Sequence, residues 1–358
     1  MDKDTIKRLI IEYQQFVANI TLIEREIHLS HQLNYVFVGL RRAGKSYLMY
    51  QQIQSLLNDG HQPEEILYFN FEDDRLVNLT VEDLDLIKVS YEELYPHKPI
   101  FFLDEIQIVE HWEKFARRLA DQQYRVYITG SNAKMLSAEI ATTLGGRYIV
   151  QNVYPFSFSE FLKASKIEIG PTWYYKNRTE IVRTFSDYFS YGGLPELMLI
   201  ETIEKRQWLS NLFNKIFFGD LITRYSIRND LAMKVLIRKL AESVKQPSSF
   251  NRLTNIVSTT GAKVSTDTII DYLNFLQATW LFFSLENYAS KLVEKISNRK
   301  YYFIDNGLLN LFLIDPVTSL LENIVAISLK KKYEDPEWKS KVIHHYKVIK
   351  NPDTGITE

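Results

Sequence analysis

The chain contains no cysteine. Disulfides and cysteine-based zinc or redox centres are thereby excluded, and a reducing, cytoplasmic setting is the natural expectation. Neither sign of charge is in excess: 43 Lys and Arg stand against 44 Asp and Glu. Any nucleic-acid surface must then be a local patch rather than a property of the whole chain. No apolar run approaches the ~20 residues of a membrane-spanning helix. The stretch from Met1 to Phe16 is charged throughout and has no apolar signal core. Tandem repeats and low-complexity segments are also missing. Aromatics are abundant, with 22 Tyr and 21 Phe among 358 residues. That fits large packed cores, in a chain long enough for about two or three domains.

The most informative segment is 35–52. Tyr35-Val36-Phe37-Val38 is a short apolar run, and Leu48, Met49 and Ile53 follow at helical spacing. Between them Gly39-Leu40-Arg41-Arg42-Ala43-Gly44-Lys45-Ser46 matches G-x-x-x-x-G-K-[ST] in full. Glycines at these positions let backbone N–H groups curl around phosphate oxygens, and the following helix N-terminus adds partial positive charge. Lys45 can reach the β- and γ-phosphates, and the Ser46 hydroxyl can ligate Mg²⁺. The nucleotide-binding set is Gly39, Arg42, Ala43, Gly44, Lys45, Ser46 and Tyr47. The x positions of such loops usually face outward, so at least one of Arg41 and Arg42 serves a partner or a salt bridge.

Four further apolar runs follow: 66–71, 100–103, 126–129 and 147–150. Short, nearly continuous runs are what strands buried on both faces require, so residues 35–150 predict a parallel sheet covered by helices. A helix precedes it, with Ile6, Ile10, Tyr13 and Phe16 at helical spacing. The run 100–103 ends in Asp104-Glu105. Asp104 would sit at a strand tip and hold Mg²⁺ directly or through water. Glu105 would orient and polarise the attacking water. The run 126–129 ends in Gly130-Ser131-Asn132, where Ser131 or Asn132 could bond the γ-phosphate or simply cap a helix. Arg147, after two glycines, could neutralise charge on a transferring phosphoryl group, in its own subunit or a neighbour's.

From about 155 the pattern turns helical, broken at Tyr191-Gly192-Gly193-Leu194-Pro195. Residues 249–304 read as a winged helix-turn-helix: a helix from Phe250, a turn at Thr259-Thr260-Gly261, and a second helix capped by Ser265. Trp280–Leu285 and Lys300–Ile304 would pair as the wing. The positions expected to face outward on the second helix are Thr266, Asp267, Thr268 and Asp271. These are neutral or acidic, whereas a phosphate-facing helix needs Lys or Arg. Protein packing is therefore favoured over duplex DNA. His344-His345 reads as solvated surface.

These elements, in this order, resemble a group of prokaryotic AAA-type ATPases. The resemblance rests on GLRRAGKS (39–46), LDEIQIVEHWEKFARRLAD (103–121), ITGSN (128–132), LGGRYIVQNVYPFSFSEFL (144–162), YGGLPELM (191–198), GDLITRYSIRN (219–229) and KYYFIDNGLLNLFL (300–313). Leu40 replaces the usual Pro, and Ser46 the usual Thr. The resemblance implies ATP and Mg²⁺, with Lys45 and Ser46 in the phosphate loop and Asp104 and Glu105 at the metal and water site. Ser131 takes the sensor position and Arg147 that of the candidate finger. Leu320-Leu321-Glu322-Asn323 is similar to the start of a restriction-endonuclease-like fold, but no later acidic pair follows, so Glu322 would lack partners.

The expected fold is an α/β P-loop NTPase with a parallel sheet (1–150), a helical domain (151–245), a winged-helix-like domain (246–314) and a nuclease-like remnant or tail (315–358). The expected function is slow, Mg²⁺-dependent ATP hydrolysis coupled to rearrangement of the C-terminal half. An ATP-occupancy switch with little hydrolysis is the alternative, and a small-molecule kinase ranks last. Expected partners are ATP or ADP, a protein, a second copy of the chain and, less favoured, DNA; no membrane is expected.

Overall fold

A computed structural model describes residues 2–76, 79–130, 142–167, 170–287 and 291–334. The chain divides into two compact units, Met1–Lys166 and Ile167–Glu358.

In the first unit α1 (Lys3–Asn19), β1 (Asn34–Val38), α2 (Lys45–Asn58), β2 (Ile66–Asn70), α3 (Val81–Leu94), β3 (Ile100–Asp104), α4 (Trp112–Asp121), β4 (Val126–Gly130), β5 (Tyr148–Asn152) and α5 (Phe158–Ala164) follow one another. The strands form one sheet of order β2-β3-β4-β1-β5, all pairs parallel. Every residue of β3 and β4 is buried, as their unbroken apolar runs require.

Register aligns Tyr68 with Phe102, Phe102 with Tyr127, and Tyr127 with Tyr35. One aromatic row thus crosses four strands on one face. Phe102 and Tyr127 stack at 4.5 Å between ring centroids, and Tyr35 and Tyr127 at 5.9 Å. Such cross-strand aromatic pairs add about 0.5–1.5 kcal/mol each beyond their area burial.

Helix α1 buries Ile6, Leu9, Ile10, Gln14 and Val17, a stripe at helical spacing. Gln14 Nε2 donates to the Ile66 carbonyl at 2.9 Å, tying α1 to the edge strand β2. Phe16, expected on the apolar face, is 49% exposed and meets Tyr50 edge-on at 5.6 Å.

The second unit contains α6 (Trp173–Lys176), α7 (Arg178–Tyr191), α8 (Thr202–Lys215), α9 (Asp230–Glu242), β6 (Ser248–Ser249), α10 (Phe250–Thr259), α11 (Thr266–Ala278), β7 (Phe282–Leu285), α12 (Leu292–Ser297), β8 (Asn298–Phe303), α13 (Asn306–Asn310) and α14 (Val317–Glu334). A π-helical turn, Ile216–Thr223, continues α8. Strands β6, β7 and β8 make a small antiparallel sheet of order β6-β8-β7. Ser249 caps α10 and Ser265 caps α11, each accepting from the backbone N–H three residues on.

A buried polar knot joins two of the sequence segments singled out above. Asp305 Oδ2 accepts from the Gly193 N–H at 2.8 Å, and its Oδ1 accepts from Gly307 and Leu308. Gly192 has φ +82°, and a Cβ there would overlap the Asp305 carboxylate. Asn306 donates to the carbonyls of Phe189 and Leu320. Asn323 exchanges hydrogen bonds with the Phe303 backbone. Glu322 accepts from Lys300 Nζ at 2.7 Å and Tyr302 Oη at 3.0 Å. Leu320-Leu321-Glu322-Asn323 is thus tied to β8 and to the turn at 192–193. His344 and His345 lie outside the described residues. Among the described residues no helix is long and apolar enough to cross a membrane.

Candidate functional site

In a parallel sheet ligands bind beyond the carboxyl ends of the strands. Strand β1, between β4 and β5, feeds the 39–44 loop at that edge, and α2 starts directly after it. The loop turns tightly: the Ala43 N–H donates to the Leu40 carbonyl at 3.1 Å, and Arg42 and Gly44 take φ +63° and +94°. Gly39 passes so close to Val153 that a Cβ would overlap its carbonyl oxygen. No side chain caps α2, so its N-terminal N–H groups and dipole face the loop interior.

Lys45 is buried, and its Nζ donates to the carbonyls of Gly39 at 3.3 Å and Leu40 at 3.2 Å. The ammonium is thus held inside the ring of the loop, 4.0 Å from Glu105 Oε1. Arg42 and Tyr47 are exposed at the rim. Arg41 reaches Glu72, beyond β2, at 3.8 Å.

Strand β3 brings the acids to the same edge. Asp104 is buried; Thr129 donates to its Oδ1, and Tyr68 donates to its Oδ2 at 2.6 Å. The Ser46 side chain lies close enough to the same carboxyl to pull its pKa down. Burial pushes the Asp104 pKa up, and the three hydroxyls work against that rise. Glu105 adopts a left-handed backbone, φ +56°, which costs about 1–3 kcal/mol. That turn points its N–H at Thr129 Oγ1, 2.9 Å away, while Gln107 Nε2 donates to its carboxylate.

The donor set fits a magnesium nucleotide. Mg²⁺ is commonly held by one or two carboxylates together with substrate phosphates. Asp104 and Ser46, near each other at the edge that also holds the Lys45 ammonium, are such a set. Among the described residues no group of three or more His, Asp or Glu is placed to hold a metal without the phosphates.

One arginine that the sequence reading passed over is built into the loop. Arg25 donates through Nε to Glu160 at 2.8 Å, through Nη1 to the Ala43 carbonyl at 3.0 Å, and through Nη2 to the Tyr154 carbonyl at 2.7 Å. It also lies over the Phe156 ring. Glu160 closes a capping box with Ser157 at the start of α5. Burial alone would raise the Glu160 pKa, but the Arg25 charge and the hydrogen bonds hold it below the usual carboxylate value. The only local signal was the S-x-x-E pattern at 157–160. Thr129, at the end of β4, was also missed as a polar partner; its hydroxyl looked like part of a strand.

Gly39, Arg42, Ala43, Gly44, Lys45, Ser46, Tyr47, Asp104 and Glu105 thus share one edge of the sheet. Arg147 does not join them. It precedes β5, its carbonyl accepts from Asn34 at the start of β1, and its guanidinium pairs with Asp121 at the end of α4. The length of β1, roughly 13 Å at 3.3 Å per residue, separates it from the phosphate loop. Ser131 and Asn132 lie outside the described residues.

A family model described as an AAA domain matches residues 32–162, the segment that carries this site. A domain of unknown function (DUF8612) matches residues 182–319. The uncharacterized protein MJ1544 of Methanocaldococcus jannaschii is 32% identical over 336 residues, covering 92% of this chain and 74% of that protein. An uncharacterized protein of Haemophilus influenzae is 32% identical over 327 residues, covering 87% of this chain and 79% of its own length. Among solved structures, the Walker-type ATPase PABY2304 of Pyrococcus abyssi aligns over 87% of this chain and 95% of its own, at 11% identity and a TM-score of 0.47. The chain carries an AAA-type P-loop domain and belongs to the same family as the Methanocaldococcus jannaschii protein MJ1544.

Proposed function

We propose that the chain binds ATP with Mg²⁺ and hydrolyses it slowly. The observation that carries this reading is the convergence of the phosphate loop, Lys45, Ser46, Asp104 and Glu105 on one edge of a parallel sheet. Main-chain N–H groups of the loop and the N-terminus of α2 would hold the phosphate tail, with Lys45 against its terminal charges. Mg²⁺, held through Ser46 and Asp104, would supply charge neutralisation on the phosphates. Glu105, with Gln107 on its carboxylate, would orient the attacking water. Charge stabilisation carries most of the rate. Ser131 keeps the sensor role and Arg147 the finger role, the latter toward a neighbouring copy's site. Phosphate release by wild type and Glu105→Gln tests the reading; release at background level from both would refute hydrolysis.

The Arg25 clamp favours a coupled reading, in which occupancy of the loop is felt at α5 through Ala43 and Glu160 and positions the second unit for a partner. Limited proteolysis with and without ATP tests it; an identical pattern would refute it. Residues 246–314 are read as a winged helix, which the element sequence β6-α10-α11-β7-α12-β8 supports. On α11 Asp267, Asp271 and Asn274 are exposed, while Thr266 and Thr268 are half-buried. An acidic outer face suits a protein partner rather than a duplex.

A further inference from the structure

Tyr68 belongs to the edge strand β2, and its ring, 1% exposed, is locked in the aromatic row. Tyr13 stands edge-on to it at 5.3 Å. The hydroxyl of so fixed a ring has a fixed position. It lies 2.6 Å from Asp104 Oδ2 on one side and 3.1 Å from the Tyr50 hydroxyl on the other. Tyr50 is on α2, one turn beyond Ser46. Packing alone would need no hydroxyl here, since phenylalanine fills the same space, and a buried phenol is tolerated only with a partner.

We propose that Tyr68 is a positioning residue for the divalent cation that accompanies the nucleotide: it fixes the plane of the Asp104 carboxylate. This rests on Asp104 and Ser46 being the metal side of the nucleotide site. A carboxylate offers about four lone-pair directions. Thr129 takes one on Oδ1 and Tyr68 takes one on Oδ2. With each oxygen anchored from a different strand, the group is held against rotation about χ2, and its remaining lone pairs keep fixed directions. Thr129 alone would leave Oδ2 free to swing.

The test is a titration of a fluorescent ATP analogue, first in EDTA and then with rising Mg²⁺, on wild type, Tyr68→Phe and Tyr50→Phe. For Tyr68→Phe the metal-free affinity is expected to stay within about twofold of wild type, while the Mg²⁺ midpoint rises roughly 10-fold or more, the usual effect of removing a group that orients a metal ligand. Tyr50→Phe leaves the bond to Asp104 in place and is expected to move the midpoint less than about twofold. Replacement of Tyr68 by 3-fluorotyrosine keeps ring and hydroxyl and is expected to retain the wild-type midpoint. An unchanged Mg²⁺ midpoint in Tyr68→Phe overturns the proposal. So does an equal loss of metal-free affinity, or an equal shift in Tyr50→Phe, since either would trace the effect to packing. If wild type binds the analogue neither with nor without Mg²⁺, the nucleotide reading itself fails, which the wild-type arm alone reveals.

Discussion

Arg25 and Glu160 form an ion pair at 2.8 Å between side chains only 4% and 5% exposed. Removing one partner of a buried pair strands the other charge, at about 3–5 kcal/mol. Arg25→Ala is therefore expected to lower the unfolding free energy by that order in urea titration. Arg25→Lys is expected to recover little, because an ammonium cannot replace a planar fork that serves Glu160, Ala43 and Tyr154 at once.

Gly39 tests the loop without touching a charge. Its Cβ would overlap the Val153 carbonyl, and backbone cannot yield as a side-chain tip does. Gly39→Ala is expected to cost about 1–3 kcal/mol of strain and to weaken nucleotide binding in calorimetry, with Lys45 unchanged. Equal affinity in wild type and variant would show that the loop does not need this close approach.

Arg147 stands at the opposite strand ends from Lys45, so its proposed role requires a second copy. Glu105→Gln and Arg147→Ala are each expected to be inactive alone. Mixed, they should recover part of the wild-type turnover, because one interface then pairs an intact Glu105 with an intact Arg147. Specific activity should also rise with protein concentration. Turnover independent of concentration, with no recovery on mixing, would remove Arg147 from the site.

Asp305 makes the second unit pH-sensitive. Burial raises its pKa to about 6, against the opposing pull of the Gly193, Leu308 and Gly307 N–H groups. The folded form binds this proton more tightly than the unfolded chain, so its contribution is fully present below the ordinary carboxylate pKa and is lost as pH rises through about 6. Between pH 4 and pH 7 the loss is roughly 2 kcal/mol. The thermal midpoint of wild type should fall over that range relative to Asp305→Asn, whose side chain does not titrate. Parallel profiles would contradict the shift.

Much of the first unit was legible because its signals are local. The strand, loop and helix at 35–52 are contiguous, and Asp104 and Glu105 end the apolar run that carries them. In the second unit Ser265 likewise caps its helix by bonding three residues on, which spacing alone predicts. Phe16 misled because apolar period does not say which side of the stripe another helix covers. Arg25 and Glu160 carried no joint signal, being 135 residues apart. Tyr68 read as one more strand aromatic, since nothing local says that its hydroxyl meets Asp104.

By itself the sequence determined that a phosphate loop follows an apolar strand, that two acids end another, and that no cysteine chemistry is available. These follow from neighbouring residues and from period. Only the tertiary structure decided which strand ends meet. Strand order β2-β3-β4-β1-β5 sets Tyr68 beside Asp104, lays Thr129 across from it, and sends Arg147 to the far edge. Pairing and register are choices between segments distant in sequence, made by which faces bury together, and no local pattern encodes them.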